Sequence, residues 1–320
     1  MKTLLSLIIM AIGLAALAAS APPPAAAETD RPAVPARLAP RSLLLDGALA
    51  GSRLVAVGER GHILLSDDDG ATWRQAAVPV RATLTGVAFA DARNGWAVGH
   101  DAVILRTRDG GETWTLQYQD PDGEAPLLDV LFLDAERGFA TGAYGLFLTT
   151  ADGGATWHPE PPAEEDLHLN GIDGAAALLL VAGESGTLMR SEDAGATWQQ
   201  RETPYQGSFF GVLVLSPSEA LAYGIQGRLY RSADGGRSWT RIETGTTAGL
   251  TGARRLPDGT VAVVGLSGTL LTSRDGGRSF ALTRLEDRPA LSGILPAGDR
   301  ALILLGDQGI RRVDAPAAPK

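Results

Sequence analysis

One eight-residue word, Ser/Thr-x-Asp-x-Gly-x-Thr/Ser-Trp/Phe, occurs six times in this chain. It starts at Ser66, Thr107, Thr150, Ser191, Ser232 and Ser273, with steps of 41, 43, 41, 41 and 41 residues. A fixed period near 41 means one supersecondary unit per repeat, and such units bury their apolar faces only by stacking on neighbours. The word itself reads as a hairpin turn. In Ser66 to Trp73, Asp68 is placed to accept hydrogen bonds from the backbone N–H groups that follow it, Gly70 supplies a positive φ, and Thr72 with Trp73 opens the next strand. The six carboxylates (Asp68, Asp109, Asp152, Asp193, Asp234, Asp275) and the closing aromatics (Trp73, Trp114, Trp157, Trp198, Trp239, Phe280) are therefore read as structural, each aromatic wedged against an adjacent unit.

Upstream of each word lies a pair of glycines or its near equivalent: Gly58-Glu-Arg-Gly61, Gly99-His-Asp-Ala102, Gly142-Ala-Tyr-Gly145, Gly183-Glu-Ser-Gly186, Gly224-Ile-Gln-Gly227, Gly265-Leu-Ser-Gly268 and Gly306-Asp-Gln-Gly309. There are seven of these. Each is flanked by short apolar runs such as Leu54 to Val57 and Ile63 to Leu65, the pattern of strand, tight turn, strand. Runs such as Leu84 to Phe89 and Leu127 to Phe132 start a further strand about fifteen residues earlier, and the stretch after each aromatic supplies a fourth. The expected fold is all-β, a seven-bladed β-propeller over residues 42–314 with four antiparallel strands per blade and the Asp words between third and fourth strands. The seventh unit, Leu291 to Asp314, runs out where its word is due, so residues 28–41, with Ala33 to Pro40 as donors, are expected to close the ring as its outer strand.

Composition suits this fold: 40 Gly, no Cys and 6% aromatics describe a turn-dense β protein without disulfides. The first 27 residues hold one charge, Lys2, an apolar stretch from Leu4 to Leu17, and Ala25-Ala-Ala27, which reads as a signal peptide with a mature chain from Glu28. The expected location is the periplasm or the outside of the cell, the chain being a monomer that does not span the membrane once the signal is removed. Residues 315–320 are expected to be a disordered tail.

The net charge of −9, with Lys only at positions 2 and 320, disfavours nucleic acid, whose backbone requires clustered cations. Arg254 with Arg255, and Arg311 with Arg312, are the local exceptions, and Arg81, Arg284 and Arg288 fall in loops between blades. In a propeller the turns between second and third strands open on one face around the axis with the interblade connections. The candidate partner-binding residues are therefore Arg60, His62, His100, Asp101, Tyr144, Glu184, Gln226 and Gln308. Tyr118, His158, Glu164, Glu165, Asp166, His168 and Tyr205 in the connections join them. The run from His158 to His168 carries imidazoles and carboxylates suited to a metal, but its prolines break any preorganised spacing, so neither metal nor cofactor is called for.

Words of this kind also occur in sialidases and other glycoside hydrolases, where they are turns and not active sites. No paired acid and base, no Phe/Tyr-Arg-Ile-Pro segment and no Gly-x-Ser-x-Gly elbow is legible here, which argues against catalysis and leaves a secreted glycan-binding protein or glycosidase as the alternative. From Ser42 to Asp314, the array running from Leu-x-Gly through Gly-x-x-Gly to the Asp word resembles the photosystem II stability and assembly factor family. The resemblance implies a seven-bladed, non-catalytic, extracytoplasmic protein that binds newly made membrane-protein subunits through an Arg-bearing face. The chain lacks the Cys of a lipoprotein signal and a dense Arg patch in one blade, which points to assembly or stability of another envelope complex.

Overall fold

The computed structural model describes residues 31–314 except 122, 124, 161, 163–165 and 299–300. The expected signal peptide, residues 28–30 and the tail at 315–320 lie outside the described residues. The strands fall into seven antiparallel sheets in chain order. The first holds β1 (Leu44–Ala50), β2 (Arg53–Gly58), β3 (Ile63–Ser66) and β4 (Arg74–Gln75); the second β5 (Leu84–Phe89), β6 (Gly95–Gly99), β7 (Ile104–Thr107) and β8 (Thr115–Tyr118). The third holds β9 (Leu127–Phe132), β10 (Gly138–Gly142), β11 (Phe147–Thr150) and β12 (His158–Pro159); the fourth β13 (Leu169–Ala175), β14 (Leu178–Gly183), β15 (Leu188–Ser191) and β16 (Gln199–Arg201). The fifth holds β17 (Phe209–Ser216), β18 (Glu219–Gly224), β19 (Leu229–Ser232) and β20 (Thr240–Ile242); the sixth β21 (Leu250–Arg255), β22 (Val261–Gly265), β23 (Thr269–Ser273) and β24 (Ala281–Arg284). The seventh holds β25 (Leu291–Ala297), β26 (Ala301–Gly306) and β27 (Arg311–Asp314). No helix among the described residues is long and apolar enough to cross a membrane.

The core lies between blades. Second strands such as Leu54 to Val57 are buried on both faces, so apolar clusters form at every junction, for example Trp96, Phe132, Ala140 and Trp157 between the second and third blades. The aromatic closing each word sits in these clusters, all six at the junction with the preceding blade of the ring: Trp73 between blades seven and one, Trp114 between one and two, Trp198 between three and four, Trp239 between four and five.

In every blade the pairing of first and second strands skips one residue near its start, as between Leu44 and Asp46 or Leu250 and Gly252. This repeated bulge puts Leu45, Thr85, Leu128, Asn170, Phe210, Thr251 and Ser292 out of register and re-aims their side chains.

The N-terminal segment does not supply the fourth strand of blade seven. That sheet has three strands among the described residues, and the segment runs along blade one instead. Ala33 donates its N–H to the Val78 carbonyl at 3.0 Å, while the Gln75 side chain accepts from Ala36 N–H at 2.9 Å and donates to the Val34 carbonyl at 3.2 Å. Pro32, Pro35 and Pro40 lack the N–H groups that a ladder on β27 would use, which is why a side chain from blade one holds the arm. The ring closes by packing: Leu44, Leu54 and Leu64 meet Leu295, Ile303 and Leu305, with Ala39 buried beside them and Pro40 accepting a hydrogen bond from Ile310 N–H at 2.8 Å.

Candidate functional site

Three zones carry the functional groups: the face of the Gly-x-x-Gly turns, the axial channel, and the rim of the Asp words. On the first face, the third residue of six of the seven turns takes a left-handed backbone: Arg60, Asp101, Tyr144, Ser185, Gln226 and Ser267 have φ between 53° and 58°. The turns are pinned from below, since Glu59, His100, Glu184 and Asp307 donate their N–H groups to carbonyls just before the first strand of their own blade, at 2.9–3.0 Å. The glycine that follows is required by a close approach. A Cβ on Gly61 would lie 2.1 Å from the Val80 carbonyl, and on Gly186 2.0 Å from that of Tyr205, because the connection to the next blade crosses the turn there. The preceding side chain is thereby fixed in direction and stands out from the face.

The structure separates the predicted residues of this face. Arg60, His100, Gln226 and Gln308 are exposed, and Tyr144 is 60% exposed. His62 is turned inward and only 4% exposed, with Nδ1 2.9 Å from the Ser42 hydroxyl; burial holds its pKa below the usual value, so it props the arm and is not displayed. Asp101 is half-buried and its carbonyl accepts from Asp120 N–H at 3.0 Å. Tyr144, His168 and Glu184 are brought together: the Tyr144 ring stands edge-on to His168 at 4.8 Å, and Glu184 accepts the His168 N–H at 3.2 Å while lying 3.6 Å from its Nδ1. Tyr205 packs on Phe209 and Tyr230, and Tyr118 is half-buried, its hydroxyl pKa raised by burial and by Asp120. His158 lies on outermost β12 and His168 just before innermost β13, so the two are on opposite sides of the ring wall; Asp166 is exposed, and Glu164 and Glu165 lie outside the described residues. Among the described residues no group of three His, Asp or Glu forms a metal cluster.

The axial channel was not legible. It is a cavity of about 280 Å³ lined by the first strands, and its polar groups tie each blade to the next. Four bulged side chains donate to the first carbonyl of a neighbouring strand: Thr85 to Leu127 at 2.7 Å, Asn170 to Phe209 at 2.8 Å, Thr251 to Leu291 at 2.6 Å and Ser292 to Leu44 at 2.7 Å. Carboxylates serve at the first, third and fourth junctions, the last beside the Asn170 bond: Asp46 accepts Val87 N–H at 2.9 Å, Asp129 accepts Ile172 N–H at 2.9 Å and Asp173 accepts Val214 N–H at 2.7 Å. Tyr223 is hydrogen-bonded to the Ala253 backbone between blades five and six. Arg254 donates to the Ile294 and Gly47 carbonyls at 2.8 and 2.6 Å, spanning blades six, seven and one. Every junction of the ring therefore carries a polar staple.

The acids face the cavity yet are enclosed by the seven sheets. Burial pushes Asp129 up to about 8, the Asp46 charge adding to the shift against the Ile172 and Val130 N–H groups. Burial raises Asp173 to about 6 and also raises Asp46, where Arg254 opposes it. Both oxygens of Asp129 and of Asp173 accept backbone N–H groups, from Val130 and Ile172 and from Gly174 and Val214. A carboxylate so occupied orders strands; it is poorly placed to pass a proton across a bond.

On the opposite rim the words share one geometry. Asp193 accepts the Thr197 N–H at 2.8 Å, the Thr197 hydroxyl at 2.6 Å and the Ser191 hydroxyl at 2.7 Å, and Ser191 in turn accepts Gly195 N–H at 2.8 Å. These bonds, led by that from the threonine hydroxyl, hold Asp68, Asp152 and Asp193 at about 2. Neighbouring blades grip the turns: Arg53 and Trp96 donate to the Gly110 and Gly153 carbonyls at 3.0 Å each, and Arg190 and Arg231 bind those of Gly235 and Gly276.

Fold and face together define a seven-bladed β-propeller whose one face is a ring of fixed, outward-pointing turn residues and whose other rim is mechanical. The family described as photosynthesis system II assembly factor YCF48 matches residues 65–125 and 117–265, more than half of the chain, and the chain belongs to that family. Among curated relatives, the chloroplastic photosystem II stability/assembly factor HCF136 of Cyanidioschyzon merolae is 34% identical over 94 residues, covering 27% of this chain and 22% of that protein. The photosystem II assembly protein Ycf48 of Thermosynechococcus vestitus is 43% identical over 42 residues, 13% of this chain and 12% of its own length. The matched stretches thus span a quarter or less of those proteins. Two solved structures share the fold over most of the chain: YCF48 bound to D1 peptide, with a TM-score of 0.69 at 18% identity, covering 87% of this chain and 94% of that one; and YCF48 from Cyanidioschyzon merolae, at 0.68 and 17%, covering 84% and 94%. The WD40 propeller domain of Doa1 aligns at 0.66 with 12% identity over 85% of this chain and 92% of its own.

Proposed function

We propose that this chain is a non-catalytic protein-binding scaffold that assists assembly or stability of a membrane-protein complex of the cell envelope, docking its partner on the face of the Gly-x-x-Gly turns. The observation that carries the reading is the fixed outward display of Arg60, Tyr144 and Gln226 on left-handed turns, in a family named for assembly factors. The solved structure of YCF48 bound to D1 peptide supports a protein partner for this fold. The channel carboxylates favour the same reading, since their oxygens are taken up by main-chain N–H groups. Export follows from the apolar leader, and the protein recovered from the periplasm or medium is expected to begin at Glu28 on N-terminal sequencing.

The test is capture from detergent-solubilised envelope membranes on the immobilised protein. One membrane-protein complex should be retained reproducibly by the wild type and lost with the combined Arg60→Glu, Tyr144→Ala and Gln226→Ala variant. Retention of nothing, or turnover of chromogenic glycosides abolished by substitution of Asp129 or Asp173, would overturn the reading.

A further inference from the structure

On the rim of the Asp words one seam departs from the plan of its sisters. Between blades one and two, four and five, and five and six, an arginine reaches across to the word of the next blade and is itself held by an acid. Arg53 donates to the Gly110 carbonyl at 3.0 Å and to Asp67 at 2.6 Å. Arg231 donates to the Gly276 carbonyl at 3.2 Å and pairs with Glu219, while Arg190 binds the Gly235 carbonyl and pairs with Glu192. Arg106 of blade two takes the position of Arg190 and Arg231, the residue just before the word. It has neither partner. Trp96 already donates to the equivalent carbonyl, that of Gly153, at 3.0 Å, and Arg106 Nε is buried without a hydrogen-bond partner.

The acid is missing because both places that supply one elsewhere hold other residues. Glu192 is the second residue of its word, where blade two has Arg108. Glu219 precedes Ala220, which lies opposite Ser232; in blade two Gly95 lies opposite Thr107, so Asn94 stands there instead. Arg106 is only 8% exposed, its guanidinium 5.2 Å from the centre of the Trp96 ring and so close to Gly153 that a Cβ there would come 2.7 Å from one of its nitrogens. Burial and the charge of Arg108 both disfavour its cation, and Asp152, which opposes them, has its oxygens engaged by Thr150 and Thr156. Among the described residues no ion pair holds Arg106, and Arg93, whose Nε donates to the Arg108 carbonyl at 3.2 Å, brings a third guanidinium beside it. A buried cation without a counter-charge is destabilising, and an anion at the spot relieves it.

We propose that the rim between blades two and three is an oxyanion site, where a carboxylate from outside the chain sits between Arg106 and Arg108 as Glu192 and Glu219 sit on Arg190 and Arg231. The sister seams set the ligand class, since each holds its arginine with a carboxylate, whose geometry the guanidinium fork matches. The site lies on the rim opposite the Gly-x-x-Gly turns and is independent of any docking there.

Calorimetry of the full-length protein in sodium acetate against sodium chloride, at equal ionic strength, is the test. Acetate is expected to raise the Tm of the wild type saturably, by about 2 °C or more. Arg108→Glu places a carboxylate where Glu192 stands in blade four; it should melt above the wild type in chloride and lose the acetate response. Arg278→Glu, the same charge change at the seam of blades five and six, should keep that response. N-acetylated hexaglutamate separates the two sources of a carboxylate: a half-maximal effect at ten-fold lower carboxylate concentration than acetate identifies acidic side chains of a partner, and equal concentrations identify free carboxylates, either of which upholds the site. An Arg108→Glu protein no more stable than the wild type in chloride would overturn the proposal, as would an acetate response that survives in it or is lost equally in Arg278→Glu. So would a response to inorganic phosphate with none to acetate or hexaglutamate.

Discussion

At the scale of single residues, local chemistry decides the turns and was readable from letters alone. Asp, Gly and Thr in the word each have one job, and the hydrogen bonds of Asp68, Asp109, Asp152, Asp193, Asp234 and Asp275 repeat it six times. The Gly-x-x-Gly pairs were equally legible as turns, but the reason for their last glycine was not, because the carbonyl that crowds it belongs to a connection about twenty residues away. Gly186→Ala places a Cβ 2.0 Å from the Tyr205 carbonyl on a residue with φ of 76°. The substitution is expected to cost roughly 3 kcal/mol, left-handed strain plus displacement of the connection, measured by denaturant unfolding. His62 shows the limit of reading such turns one at a time: its letter suggests display, while Ser42, twenty residues upstream, takes it inward.

Elements add what no single repeat contains. Strand number, period and the junction role of the aromatics followed from spacing, and the rings do sit in the interblade clusters. Their hydrogen bonds differ, however: Trp114 Nε1 donates to the Gly111 carbonyl at 2.9 Å, whereas Trp239 Nε1 is buried without a partner among the described residues. Trp114→Phe should therefore cost about 1 kcal/mol more than Trp239→Phe, the difference being one buried hydrogen bond, with chemical denaturation of the two variants as the check. The sixth blade already carries Phe280 at this position. The outer strand of blade seven was misassigned for a reason of the same scale. A sequence shows that an edge lacks its strand, but not which blade an arm with prolines at 32, 35 and 40 will find a side chain to hold it, and here Gln75 of blade one does so.

For the whole molecule the informative residues are those that only ring closure brings together. Asp46, Asp129 and Asp173 are isolated acids inside apolar first strands, and a buried polar residue in such a run is the one signal that marks the channel in advance. Arg254 was noted only as half of a basic pair, while in the ring it ties three blades. Arg254→Leu leaves Asp46 and Asp173 without their cation and should destabilise by about 3–5 kcal/mol, seen as a lowered Tm in calorimetry. The acids also set the response to pH. The carboxyl of Asp129 is raised to about 8 from an ordinary 3.8, so folding takes up a proton. Stability from this group is therefore complete below pH 3.8 and falls as pH rises toward 8. The words act oppositely: Asp68, Asp152 and Asp193, held at about 2, contribute fully above 3.8 and lose that contribution as pH falls toward 2. Calorimetry across this range should find the highest Tm on the acid side of neutrality, and Asp129→Asn should flatten the alkaline decline while leaving the acid limb unchanged. A Tm that climbs steadily to pH 8 would contradict the assignment.

Among the described residues no strand is shared between blades one and seven, and that junction is held as the other six are, by apolar packing and polar staples: leucines in contact, Ser292 reaching over to Leu44 and Arg254 to Gly47. The seam between blades one and seven is then no different in kind from any other seam of the ring. Circularly permuted versions, with the native ends fused and new ends opened in any connection between sheets, should assemble the same torus.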